Sequence, residues 1–300
     1  MLTDLQIEQF ISRHQLPDNF YDLIGKHYLP LARWLVRRRD SVEILFLGIN
    51  GAQGTGKSTL ASFLKYALEE GAAWRTAVLS IDDFYLAKAE REILAASIHP
   101  LLRTRGVPGT HDLEKLAYCI EQLRVLGDGV EMRLPRFDKS KDDCADPDLW
   151  PTVTGPVDQI ILEGWCVGGR AQSDESLLQP INSLEEISDA SGEWRRYANE
   201  QLAGGYQDIF RQLDALVFLQ APDFDAVYRW RLEQEQKLAA QVGQNGHGIM
   251  NSEKLAGFVQ HFERLTAENL AVLPNFADVV LELNKDHECV RSSYAQDHDL

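Results

Sequence analysis

Apolar positions along the chain fall into two regimes. Between residues 3 and 40, Leu5, Phe10, Ile11, Leu23, Ile24, Leu31 and Leu35 recur at roughly helical spacing, interrupted by Pro17 and Pro30. This predicts a helical extension over residues 1–40, broken at the prolines. The run Arg37-Arg38-Arg39 closes it and reads as a solvated helix end, where cations suit the dipole. From residue 44 the period changes. Ile44–Ile49, Thr76–Ile81, Gln159–Leu162, Ala215–Leu219 and Asp278–Leu283 are short, almost wholly apolar runs. Such runs mark strands buried on both faces of a parallel sheet. Helical patterns at 57–70, 112–126, 193–212, 223–241 and 252–271 lie between them. Residues 139–158 and 168–192 are rich in Asp, Ser, Pro and Gly and read as loops or insertions on the sheet. Residues 41–290 therefore predict one doubly wound α/β domain of three layers around a mainly parallel, five-stranded sheet. Residues 291–300 read as a polar tail.

Charge and cysteine usage narrow the setting. The 300 residues carry 30 Lys+Arg against 46 Asp+Glu, a net charge of −16. That balance disfavours a nucleic-acid or anionic-membrane surface. No run approaches the ~20 continuous apolar residues of a membrane span. The opening MLTDLQIEQF lacks a basic-then-apolar signal pattern, so a cytoplasmic protein is expected. Cys119, Cys144, Cys166 and Cys289 form no CxxC pair, which favours reduced thiols over a disulfide framework or structural zinc.

One motif carries specific chemistry. Gly51-Ala52-Gln53-Gly54-Thr55-Gly56-Lys57-Ser58 fits G-x-x-x-x-G-K-[ST], directly after the first apolar run and before a helical pattern. Glycines let the backbone turn its N–H groups inward around phosphate oxygens at a helix N-terminus. Lys57 would then reach the β- and γ-phosphates, and the Ser58 hydroxyl would ligate Mg²⁺. Thr59 supports the helix start beside this nucleotide-binding run. The context predicts a P-loop NTPase fold with ATP and Mg²⁺ as its ligands.

Two strand ends carry acids: Asp82 and Asp83 follow TAVLSI, and Glu163 follows QIIL. Ligands of parallel sheets gather at the carboxyl ends of strands. Transfer to an alcohol needs a carboxylate at the acceptor hydroxyl and acids for the metal. Asp82 is assigned the hydroxyl and Glu163 the metal, whereas Asp83 points elsewhere. The competing readings are a turn cap for Asp82 and a paired structural acid for Glu163. Arg105, Arg136 and Lys139 lie in basic clusters that suit an anionic acceptor, with ordinary surface pairing as the alternative. Tyr85 and His111 flank these groups. Arg229 and Arg231 could close as a lid over the transferring phosphoryl group, or simply pair along an exposed helix.

GAQGTGKS, SIDDFYL, RGVPGTHD, PRFDKSKDD and ILEGW, in that order, resemble the small-molecule P-loop kinases that include uridine kinase, phosphoribulokinase and pantothenate kinase. RGVPGTHD, the stretch Gln179–Tyr206, RWRLEQE and GHGIMNSEKLAGFVQHFERLT resemble more closely the plant-type D-glycerate 3-kinases and their fungal and bacterial relatives, over roughly residues 42–288. The resemblance implies ATP, Mg²⁺ and a D-glycerate-like acceptor giving 3-phosphoglycerate. It implies the base role for Asp82, acceptor contacts for Arg105, His111, Arg136 and Lys139, and a lid with Arg229 and Arg231. Another small alcohol, or an ATP-binding regulatory protein without an acceptor, stays open. A GTPase does not fit: Asn284-Lys285-Asp286-His287 puts His where the guanine-reading Asp belongs. Asn284 and His287 instead border the adenine in this reading.

Overall fold

A computed structural model describes residues 2–39, 42–242 and 252–295. Its centre is one six-stranded sheet: β1 (Leu45–Gly51), β2 (Thr76–Ser80), β3 (Gln159–Gly164), β4 (Ala215–Gln220), β5 (Val279–Leu283) and β6 (Cys289–Tyr294). The spatial order is β6-β5-β4-β1-β3-β2. The first five are parallel, and β6 runs antiparallel to β5 along one edge. The sixth strand was not expected. Its sequence, CVRSSY, is polar enough to read as tail because only one edge of it pairs and its side chains are largely half-exposed or exposed.

The strands are apolar throughout because both faces are covered. Leu45, Leu47 and Ile49 face one way, into a core shared with Leu60, Phe63 and Leu64 of the helix Lys57–Ala72. Phe46 faces the other way, with Leu79, Ile160 and Leu162, against Leu116, Ile120 and Leu123 of the helix Leu113–Arg124. This alternation follows from the two-residue period of a strand.

The N-terminal helices belong to the first of these cores. Ile7 and Phe10 of α1 (Asp4–Arg13) and Leu31 and Leu35 of α2 (Leu29–Arg39) are buried in it. Pro30 does not break the chain. A π-helical turn, Ile24–Tyr28, runs straight into α2 and puts the proline in its first turn, where a missing N–H costs least. Of the arginine run, Arg37 is exposed as expected, but Arg38 and Arg39 are not a solvated end. Arg38 donates to the Asp278 carboxylate at 2.9 Å, and Arg39 to Asp158 at 2.5 Å. Both acids lie just before a strand, so these side chains lace the amino end of the sheet. The predicted helix over 193–212 forms, but a second π-turn, Leu202–Tyr206, interrupts it.

Candidate active site

Strand register brings the two acidic strand ends to the phosphate loop. In β3, Glu163 pairs across to Ile49 of β1 on one side and to Ser80 of β2 on the other. The carboxyl ends of these three strands are therefore level, β3 flanking β1 directly and β2 one place further out.

The loop itself is backbone architecture. Gly54 and Gly56 have φ of +84° and +89°, a region glycine enters at little cost. The Thr55 hydroxyl donates to the Ala52 carbonyl at 2.8 Å and closes the turn. Gly56 precedes α3 (Lys57–Ala72) without any side-chain cap, so the helix offers its first N–H groups to an anion. Lys57 folds back across the loop, donating to the Ala52 carbonyl at 3.0 Å. Burial lowers its ammonium pKa, and the charges of Glu163 and Asp82 oppose that shift. The Ser58 hydroxyl donates to Glu163 Oε1 at 2.9 Å. Gln53 keeps its Oε1 buried and without a hydrogen-bond partner among the described residues, and Thr59 is half-buried in the first turn of α3.

The other side of the cleft is built from paired side chains. A single 3₁₀ turn, Ile81–Phe84, follows β2 and aims its two acids apart. Asp83 accepts from Arg136 at 2.9 Å and from the Phe137 amide at 3.1 Å. Burial raises its carboxyl pKa despite those partners. Asp82 accepts from Lys139 at 2.6 Å, and the Tyr85 hydroxyl beside it favours the ionised form. Burial alone would raise its pKa, but the Lys139 ammonium and the nearby Tyr85 hydroxyl outweigh it and bring the carboxyl below its ordinary value. Arg105 pairs with Asp142, which also meets Arg91 at 3.0 Å. Arg91 is 2% exposed and donates to the carbonyls of Leu86, Arg103 and Asp142. His111 is buried, with its ring 4.9 Å from that of Tyr85.

The structure thus gathers Lys57, Ser58 and Glu163 at the loop, and Asp82, Tyr85, His111 and Lys139 beside them. Arg136 and Arg105 are anchored to Asp83 and Asp142. The two lid candidates are arranged differently from the expectation. On α4 (Phe224–Val242), Arg229 donates to the Asp225 carbonyl at 3.4 Å and Arg231 pairs with Glu235, contacts within their own helix. Trp230 and Gln234 of that segment meet the loop: a Cβ on Gly54 would come within 2.9 Å of the Trp230 Cβ and 3.7 Å of the Gln234 Nε2. Trp230 also donates to the Lys285 carbonyl at 3.1 Å and stacks on His287 at 4.2 Å. It was not legible as a loop contact, since a tryptophan on an amphipathic helix reads as core. Residues 246–251 of the word GHGIMNSEKLAGFV lie outside the described residues.

Beside Gly54–Gly56 opens a cavity of about 550 Å³. Its walls include Asp286, His287 and Glu288 from the β5–β6 turn, and Phe20, Lys26 and His27 from the N-terminal segment. His27 reaches Ser292 of β6 at 2.6 Å. The first 40 residues therefore border the site as well as the core.

A phosphate loop at the head of a parallel sheet, with a carboxylate clasp across the cleft, defines the class of small-molecule P-loop kinases. Comparison with known proteins places the chain within that class. It is 34% identical to the uncharacterized kinase mug58 of Schizosaccharomyces pombe over 260 residues, covering 80% of this chain and 88% of that protein. It is 32% identical to the chloroplastic D-glycerate 3-kinase of Arabidopsis thaliana over 230 residues, 74% of this chain and 47% of the plant protein. The solved D-glycerate 3-kinase of Cryptococcus neoformans superposes with a TM-score of 0.73 at 26% identity, covering 90% of this chain and all of that one. No family model matches the sequence. The chain belongs to the kinase family of these relatives, and it is an enzyme of the small-molecule kinase type.

No helix among the described residues is long and apolar enough to cross a membrane.

Proposed function

We propose that the protein transfers the γ-phosphoryl group of ATP to a hydroxyl of a small anionic acceptor, D-glycerate, giving 3-phosphoglycerate. The observation that carries this reading is the Asp82 carboxylate, held by Lys139 within electrostatic range of Lys57. The names of the plant and Cryptococcus relatives support the choice of acceptor.

Residues 51–58 bind the triphosphate through loop amides and the N-terminus of α3. The cavity between the β5–β6 turn and the N-terminal segment receives the base. Ser58 and Glu163 fit a magnesium ion: a hydroxyl and a carboxylate, 2.9 Å apart at a helix N-terminus, are the hard oxygen ligands it takes. Such an ion neutralises charge between the β- and γ-phosphates when bound. Asp82 orients the acceptor hydroxyl and takes its proton. Its low pKa keeps it ionised near neutrality, so alignment is a larger part of its work than basicity. Lys139 and Arg105 hold the anionic end of the acceptor. Arg136 holds the loop that carries Lys139 through its pair with Asp83. Lys57, with Arg229 and Arg231 on the α4 lid, stabilises charge on the group in flight.

The test is ADP release by purified protein with ATP and Mg²⁺, comparing D-glycerate with L-glycerate, pantothenate and uridine. Stimulation by D-glycerate alone, with 3-phosphoglycerate as product, is expected. Equal turnover without any acceptor would overturn the reading.

A further inference from the structure

Tyr206 has no part in the reading above, yet it reaches the acceptor side of the cleft. It closes the π-helical turn Leu202–Tyr206, where Gly204 leaves helical backbone angles (φ −91°, ψ −117°). A π-turn inserts a residue and swings the next side chains to a new face. Here it sends a fully buried phenol to the loop before the helix Leu113–Arg124.

The hydrogen bonds at that phenol decide where protons sit. Its oxygen accepts the Gly109 N–H at 3.0 Å. Its own proton then has one partner, His111 Nδ1, at 2.5 Å. Burial lowers the His111 pKa to about 4, with the Asp82 charge opposing, so the imidazole is neutral near pH 7. A neutral imidazole carries a single proton. With Nδ1 accepting from Tyr206, that proton is on Nε2. His111 Nε2 is buried and has no hydrogen-bond partner among the described residues. A buried donor left unmatched in a folded protein points to a ligand that matches it. The ring packs against that of Tyr85 at 4.9 Å, and the Asp82 charge reaches it.

We propose that Tyr206 is a positioning residue that locks His111 in the Nε2–H tautomer, and that this N–H donates to an oxygen of the acceptor next to its reacting hydroxyl. The second half rests on the assignment of Asp82 to the acceptor hydroxyl; the first half does not. The acceptor must then present a lone pair at this point, as a carboxylate or hydroxyl does and an ammonium does not. The ionisable groups described around the imidazole are Asp82 and Tyr85 after β2 and Tyr206 on the π-turn, with the Cys166 thiol after β3 in electrostatic range of both phenols. Burial raises both phenols and the thiol, so Asp82 is the charge among them near pH 7.

The tautomer is read by two-bond ¹H–¹⁵N correlation on histidine-labelled protein without acceptor, with His111→Gln identifying the signal. The wild type should show an unprotonated Nδ1 and a protonated Nε2. Tyr206→Phe should mix the tautomers and move the imidazole titration to higher pH, since it removes a donor that favours the neutral ring. In turnover, Tyr206→Phe should raise the acceptor KM by roughly three- to tenfold with the ATP KM unchanged. That deficit should narrow as pH falls, because the imidazolium bears a proton on both nitrogens. An Nδ1–H tautomer in the wild type would overturn the lock, and that measurement stands even if the variant does not fold. An unchanged tautomer and titration in Tyr206→Phe would overturn the role of the phenol. An Nε2–H tautomer without any response of D-glycerate turnover to Tyr206→Phe would overturn the donor contact and leave the lock. Absence of D-glycerate turnover in the wild type would instead fall on the choice of acceptor.

Discussion

The two sides of the cleft solve opposite problems. The phosphate side is made of backbone: glycines with positive φ, an uncapped helix N-terminus, and one lysine folded over the turn. The acceptor side is made of side chains that hold one another: Asp82 with Lys139, Asp83 with Arg136, Asp142 with Arg105 and Arg91. Backbone amides offer every triphosphate the same cradle. Paired side chains can be exchanged singly, so that side sets the choice of acceptor. Damage to the first should cost nucleotide binding, and damage to the second should cost acceptor use.

The sharpest way to break this division is Lys57→Ala. The account expects turnover to fall by on the order of 10²–10³ and ATP affinity to weaken with it; initial rates and nucleotide titration check both. Next comes Gly54→Ala, which adds a Cβ at φ +84° against the Trp230 Cβ at 2.9 Å. It should raise the ATP KM by about tenfold or more and leave the acceptor KM nearly as it was.

Lys139→Ala sharpens the comparison from the other side. Without the Lys139 charge and hydrogen bond, burial dominates at Asp82 and its pKa rises. The carboxylate is then protonated at higher pH, so the acid limb of kcat/KM for the acceptor should move upward. An unmoved limb would count against the Asp82 assignment. The smallest effect belongs to Arg231→Ala. Its pair with Glu235 lies within one helix, but the Glu235 side chain is 4% exposed, so losing the cation costs more than breaking a surface pair would. Thermal stability should fall measurably, and kcat should fall by about tenfold if the lid supplies charge.

The same division explains what could be read in the chain. Residues 51–58 are one contiguous run whose chemistry is local, and the five parallel strands announce themselves by apolar runs. The acids at 82 and 163 were identifiable as strand ends, but their nearness to the loop depended on the order β1-β3-β2, which no local pattern encodes. Lys139 and Asp82 were each visible. Their pairing spans 57 residues, so either could equally have faced solvent. Pro30 looked like a break because a π-turn before it has no sequence period of its own. Tyr206 escaped for a related reason: in an ordinary α-helix its side chain would point elsewhere.

The most direct test of the central claim is Asp82→Asn, with ATP affinity and acceptor-dependent turnover measured on the same preparation. The account predicts that turnover is lost almost entirely while ATP binds nearly as tightly as to the wild type. Equal loss of both, or turnover that survives the substitution, would contradict it.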